Sequence, residues 1–367
     1  MITNMDTFAL MFFEFAILGI IAFMLTEIVL QRRHPGLVAV DGTSRFNSTF
    51  QEDSSRENDD EKTLQVIEQA IMLDSNRTDA YFLKGKFYAM RNDFTPAIEA
   101  FKQVISLDPH YSAAYYHLGE IYFLQNDYAK AIEYFEFNVV FDPKNDDAYY
   151  HLGKAYLKNG LNKSAVEMLE KAIQINDRHV EASLMLGLAY VACQDYQSAV
   201  KPLEQAIRLQ PDYVEAYTAL GNVYLQQGNA AQAVEIYRQA IHLDANNPDI
   251  YAIQANAYIA DERYESAIST CRRALELSPN DEKLYAILGN AMFAQKDYME
   301  ALHACEMALE LNPRLVEAHV VAGNSYYAIH NFPQALESYK RALEIDPRHV
   351  LAEKHFMYLH NEQQDPD

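Results

Sequence analysis

The chain has 367 residues, 50% hydrophobic and 22% charged, with 12 glycines and 12 prolines, a composition that excludes a collagen-like or wholly disordered protein. Thirty Lys and Arg against 52 Asp and Glu leave a net charge of −22, which repels phosphate backbones and argues against nucleic acid as a partner. Three cysteines, Cys193, Cys271 and Cys305, show neither CxxC nor CxxH spacing, so neither a disulfide framework nor a zinc site is expected, and a reducing compartment is.

Residues 8–30 (FALMFFEFAILGIIAFMLTEIVL) form an apolar run long enough to cross a bilayer core of about 30 Å as a helix. No basic segment precedes it and no small-residue cleavage site follows, so the reading is a retained anchor over 1–35 rather than a signal peptide. Arg32 and Arg33 lie on its C-terminal flank, which predicts a single-pass membrane protein with the N-terminus outside and the remainder cytoplasmic. Residues 36–61 are polar and acidic and are expected to form a disordered tether. Residues 62–77 are predicted to contain one amphipathic helix, a half-repeat.

From Thr78 the chain repeats every 34 residues without insertion: 78–111, 112–145, 146–179, 180–213, 214–247, 248–281, 282–315 and 316–349. Position 8 of each unit is glycine in seven units (Gly85, Gly119, Gly153, Gly187, Gly221, Gly289, Gly323) and Ala255 in the sixth. Position 20 is alanine in all eight, and these two small residues are expected to face each other where paired helices approach. Six of the prolines stand at position 32, where they end the second helix of a unit. Pro202, at position 23, is expected to kink its helix, and Gln254-Ala255 to alter packing in the sixth unit.

These residues resemble the tetratricopeptide (TPR) pattern W-x2-L-G-x2-Y…A-x3-F…P, with tyrosine in place of tryptophan at position 4, over 78–349. The resemblance implies an all-α fold, an α-solenoid. Eight helix-turn-helix repeats, helix A over positions 2–14 and helix B over 18–31, would coil into a right-handed superhelix, here preceded by one transmembrane helix. Within 350–367 a solitary capping helix, 350–361, and a polar tail are expected to close the stack.

No converging acid, base, nucleophile or phosphate-binding loop is found, so no enzyme activity, cofactor or metal is expected. His117 and His151 repeat at position 6, but stacked helices lie about 8–10 Å apart, too far for them to share a metal. What the resemblance implies instead is recognition of a protein or peptide ligand in a concave groove lined by helix A. Its positions 5, 9 and 12 place Phe82, Lys86, Tyr116, Tyr150 and Lys154 on an aromatic and basic surface. Leu184, Leu188 and Val191 follow as an apolar patch, and Asn222, Asn256, Asn290 and Asn324 as an amide ladder suited to a peptide main chain. Acids at position 2 of six units either favour a basic ligand or complement the helix dipole. Position 5 carries no lysine, which argues against a carboxylate clamp for acidic tails. The expected function is a membrane-anchored scaffold that assembles or recruits partner proteins. The alternatives are a periplasmic or lumenal TPR factor for secretion or envelope assembly, and a non-catalytic regulatory subunit tethering an enzyme.

Overall fold

The computed structural model describes residues 53–364, which are helical throughout apart from short turns; no strand occurs among them. The first helix, α1 (Asp53–Leu73), begins at Asp53 rather than at Lys62, so residues 53–61 of the expected tether are helical. The stretch DSSRENDDE puts acids in the opening turns, where the helix dipole favours them. Residues 8–30 and 36–52 lie outside the described residues. The chain divides into two compact units, Met1–Val66 and Ile67–Asp367, and all the repeats lie in the second.

The placement in a membrane is corrected here: among the described residues no helix is long and apolar enough to cross one. The reason is visible in each repeat, whose helices are short and keep one polar face, as an element packed on one side only must.

Sixteen helices follow α1 as eight antiparallel pairs: α2 (Thr78–Ala89) with α3 (Phe94–Leu107), α4 (Ser112–Leu124) with α5 (Tyr128–Phe141), α6 (Asp146–Lys158) with α7 (Asn162–Ile175), and α8 (Val180–Ala192) with α9 (Tyr196–Leu209). Then come α10 (Val214–Gln226) with α11 (Ala230–Leu243), α12 (Pro248–Ala260) with α13 (Tyr264–Leu277), α14 (Glu282–Ala294) with α15 (Tyr298–Leu311), and α16 (Val316–Ala328) with α17 (Phe332–Ile345). Each pair is one 34-residue unit, its helices starting one position earlier than expected. The last helix, α18 (Val350–Gln364), packs on the eighth unit through Ala352 and Leu359.

The alanines at position 20 are all fully buried, but they are not what most of the position-8 glycines face. A Cβ on Gly85, Gly119, Gly221 or Gly323 would strike the ring of Phe101, Phe135, Tyr237 or Tyr339, and one on Gly153 or Gly187 would strike Leu169 or Leu203. The missing side chain is thus filled from position 24 of helix B. In the seventh unit the filler is smaller, Cys305, with Sγ 3.0 Å from a Cβ on Gly289. The sixth unit completes the trade: Ala255 stands at position 8, Cys271 at position 24, and both are fully buried. Small-for-large exchange keeps the volume between the helices constant.

Every A-to-B turn contains one residue with positive φ, always at position 15: Asn92, Asn126, Gly160, Gln194, Gly228, Glu262, Lys296 and His330, at 57° to 78°. In this conformation the position-16 amide bonds back to the position-11 carbonyl, as in Asp195 N to Tyr190 O at 2.9 Å. Asp127 and Asp195 then accept the amides of Lys130 and Ser198 and cap helix B. Helix α9 runs unbroken through the buried Pro202. Gln254, also buried, donates to Val234 O at 3.4 Å.

Neighbouring units are joined by polar contacts at fixed positions. The position-4 side chain reaches the position-32 carbonyl of the preceding unit in Tyr115 to Pro109 and Tyr217 to Pro211, at 3.0 and 3.1 Å. Tyr156 and Tyr190, at position 11, donate to Glu136 and Glu170 of the preceding unit. Consecutive helices A also touch one another along the stack, less closely at α10 and α12 than elsewhere, whereas consecutive helices B do so hardly at all, so helices A line the inner, concave side of the repeat array.

Candidate functional site

The concave face of the first three repeats carries a continuous aromatic string. Phe82 packs against Tyr111 (ring centroids 5.0 Å apart) and His117 (5.5 Å), Tyr116 against His151 (5.3 Å), and Tyr150 against His151 and His179 (both 4.9 Å). Position 5 of one unit therefore reaches position 6 or 34 at the next junction, and the rings are half-buried by one another, His179 being buried. Burial first, then the nearby Glu120, holds the Tyr116 hydroxyl well above the usual tyrosine range. Burial pushes His151 below the ordinary histidine value, so its ring is neutral at pH 7. Lys86 lies 5.9 Å over the Phe82 ring, and Lys154 sits 5.2 Å over Phe123 and 5.9 Å over Tyr150. The aromatic and basic residues expected from the sequence thus come together, joined by His117, His151 and His179, which sequence reasoning weighed only as metal ligands or passed over.

The apolar patch changes character. Leu184 is only 7% exposed and belongs to the core that includes Leu203 and Leu220, so it is withdrawn as a ligand contact. Its position-5 place abuts the next repeat, and a branched side chain there closes the junction. Leu188 and Val191 pack against the same core but stay half-buried.

The asparagines at position 9 fall into two kinds. Asn222 Oδ1 accepts the Tyr237 hydroxyl at 2.6 Å and Asn324 Oδ1 accepts that of Tyr339 at 2.7 Å. Asn324 Oδ1 also lies 3.1 Å from His355 Nδ1 of α18. With the oxygen engaged, each amide keeps its Nδ2 hydrogens to donate elsewhere. Asn256 and Asn290 stand over Cys271 and Cys305, which offer no hydroxyl, and their amides are not held in this way.

Two clusters were not foreseen. Asp146, Asp147 and His179 come close enough to suggest a metal site, but the ring is already engaged. Nδ1 accepts the Ala182 amide at 3.3 Å, capping α8, which puts the proton of a neutral ring on Nε2. Nε2 faces Asp147 Oδ1 at 3.2 Å, off the axis of a good hydrogen bond, and Glu181 lies 3.4 Å from Nδ1. No ring lone pair remains for a metal ion. The second cluster borders a cavity of about 420 Å³ between α10 and α12, with Val214, Ile250 and Ile253 as its apolar lining and Glu215, Asp244 and Asp249 among its polar residues. Glu215 and Asp249 are position-2 acids whose role the sequence left open, whereas Asp244 gave no signal.

Residues 111–315, more than half of the chain, match the family described as Cilia and flagella-associated protein 70 C-terminal domain, and residues 83–136 and 316–349 match tetratricopeptide repeat families. The chain belongs to the tetratricopeptide repeat family. Over 111–315 its TPR array is of the Cilia and flagella-associated protein 70 C-terminal kind. Among solved structures it is similar to the C-terminal part of a TPR repeat-containing protein from Cytophaga hutchinsonii, at 21% identity and TM-score 0.53 over 65% of this chain and 98% of that one. It is similar also to a chain of the APC/C hetero-tetramer Cut9-Hcn1, at 18% identity and TM-score 0.50 over 78% of this chain and 56% of that one. MamA matches at 29% identity and TM-score 0.44 over 46% of this chain and 92% of that one. Among curated proteins none matches the chain.

The TPR consensus explains the glycine, alanine and proline positions. It does not explain the residues that differ between repeats at one position, and these give the groove its two halves: aromatic and basic in repeats one to three, amide in five to eight.

Proposed function

We propose that the chain is a non-catalytic scaffold whose concave TPR groove holds an extended segment of a partner protein and thereby brings partners into a complex. The observation that carries this reading is the pinning of Asn222 and Asn324 by Tyr237 and Tyr339, which engages each Oδ1 and keeps each Nδ2 group as a donor for a ligand. A donor that recognises any main-chain carbonyl suits a surface that must hold a peptide without reading every side chain. The half-buried Leu188 and Val191 offer an apolar contact between the two halves of the groove.

The test is affinity capture of partner proteins on the full chain, on Asn222→Ala/Asn324→Ala and on Leu188→Glu, with helical content followed by circular dichroism. The reading expects both variants to lose proteins captured by the parent while remaining helical. Undiminished capture by the double asparagine variant would remove the amide donors from the account.

A further inference from the structure

The cavity between α10 and α12 has a counterpart two repeats earlier, and the comparison between them indicates what it accepts. In repeats three and four the position-2 acids are Asp147 and Glu181, and between them at position 34 stands His179, 8% exposed, its ring nitrogens 3.2 and 3.4 Å from the two carboxylates. In repeats five and six the same positions are Glu215, Asp249 and Asn247. Asn247 is shorter than histidine, and its Oδ1 is engaged by the Asp249 amide at 3.1 Å. The place that an imidazole fills at the earlier junction is therefore open, and its two acids lack the ring that lies between their counterparts.

A third carboxylate stands at each junction, Asp146 at the earlier one and Asp244 at this one. Position 31 is Asn176 in the third repeat and Asp244 in the fifth, so the third carboxylate here borders the cavity. Among the described residues none of Glu215, Asp244 and Asp249 forms an ion pair with Lys, Arg or His, whereas Asp79 is paired with Arg77, and Asp147 and Glu181 lie beside the His179 ring. The metal-compatible grouping of the described residues is at the earlier junction, not here, so these three carboxylates are not close enough to share one small ion. Beneath them the lining is apolar: Val214, the 2%-exposed Ile250, and Ile253.

We infer that this cavity receives a lysine or arginine side chain of the partner segment, its methylene stem on Val214, Ile250 and Ile253 and its cationic head among Glu215, Asp244 and Asp249. A long basic side chain matches both parts of the site, since its stem is apolar and its head is not. The inference rests on the groove reading above and names the chemistry of the ligand: a basic segment.

The experiment selects from a random dodecapeptide library displayed on phage, with the full chain as bait, and measures the enriched peptides by fluorescence anisotropy. Enriched peptides should share a Lys or Arg, and replacing it by norleucine should weaken binding about tenfold. Glu215→Gln/Asp249→Asn should cause a similar loss for the basic peptides and none for their norleucine forms. Asn247→His, which supplies the ring found at the earlier junction, should weaken the basic peptides as well. Enriched peptides without a basic residue, or affinities unchanged in both variants, overturn the cavity assignment and leave the groove standing. If no peptide is enriched, or all bind Asn222→Ala/Asn324→Ala as they bind the parent, the groove reading falls and takes this inference with it.

Discussion

Replacing Gly221 by alanine sets two effects against each other. Alanine in a helix interior is favoured over glycine by about 1 kcal/mol. Against this, the new methyl would lie 2.7 Å from Cζ of Tyr237, a fully buried ring whose hydroxyl holds Asn222. The ring must retreat by most of an ångström to restore ordinary contact, and overpacking of this kind costs about 1–3 kcal/mol. Loss of the hydroxyl contact to Asn222 adds about 1 kcal/mol. Gly221→Ala should therefore destabilise by about 1–3 kcal/mol net. Gly289→Ala meets only Cys305 Sγ at 3.0 Å and the Ala301 carbonyl at 3.2 Å, and the chain already carries the alanine and cysteine combination as Ala255 and Cys271. It should be neutral or stabilising by up to about 1 kcal/mol. Urea unfolding followed by circular dichroism measures both, and Gly221→Ala/Tyr237→Cys should recover part of the loss. Equal effects of the two single substitutions would refute the claim that position 24 fills the space over position 8.

Glu262→Gly and Lys296→Gly should each stabilise by up to about 1 kcal/mol in the same assay, because both residues hold a left-handed backbone that penalises any side chain. Gly228→Ala, the reverse change, should destabilise by a similar amount. Burial pushes the Cys271 and Cys305 thiols from their ordinary 9.0 to about 12, so at pH 8 about one in ten thousand is ionised. A thiol reagent should label the partly exposed Cys193 in the native chain and reach the other two only on unfolding. The same shift makes stability fall between pH 8 and 9.5: the unfolded thiols release protons that the folded ones keep until about 12. Urea midpoints of Cys271→Ala/Cys305→Ala should show a smaller fall over that range.

The repeat was legible because a constant period forces the same residue into the same contact eight times, as with alanine at position 20 and proline at position 32. What stayed hidden depends on pairs of positions. The partner of position 8 varies among Phe, Leu, Tyr and Cys, so no single residue type announced it. The left-handed turn at position 15 is glycine only twice, and Gln194, Glu262 and Lys296 give no local sign of it. Leu184 looked like a groove residue because helix position alone does not say how closely the next repeat approaches. His179 was passed over because its acidic neighbours belong to two different repeats. The start of α1 at Asp53 was obscured by composition, since polar acidic residues serve a helix opening as readily as a tether.

The buried residues form several separate cores, each shared by a few neighbouring units; that around Phe101 and Phe135 holds the first repeats and that around Tyr237 and Cys271 holds the middle ones. Such a stack is coupled only from one neighbour to the next, so its stability is set link by link. A segment seated along the concave face would touch repeats that otherwise never meet. Occupancy would then act as a splint, converting a graded, end-inward loss of structure into a sharper transition and linking the fate of distant repeats to the presence of the partner.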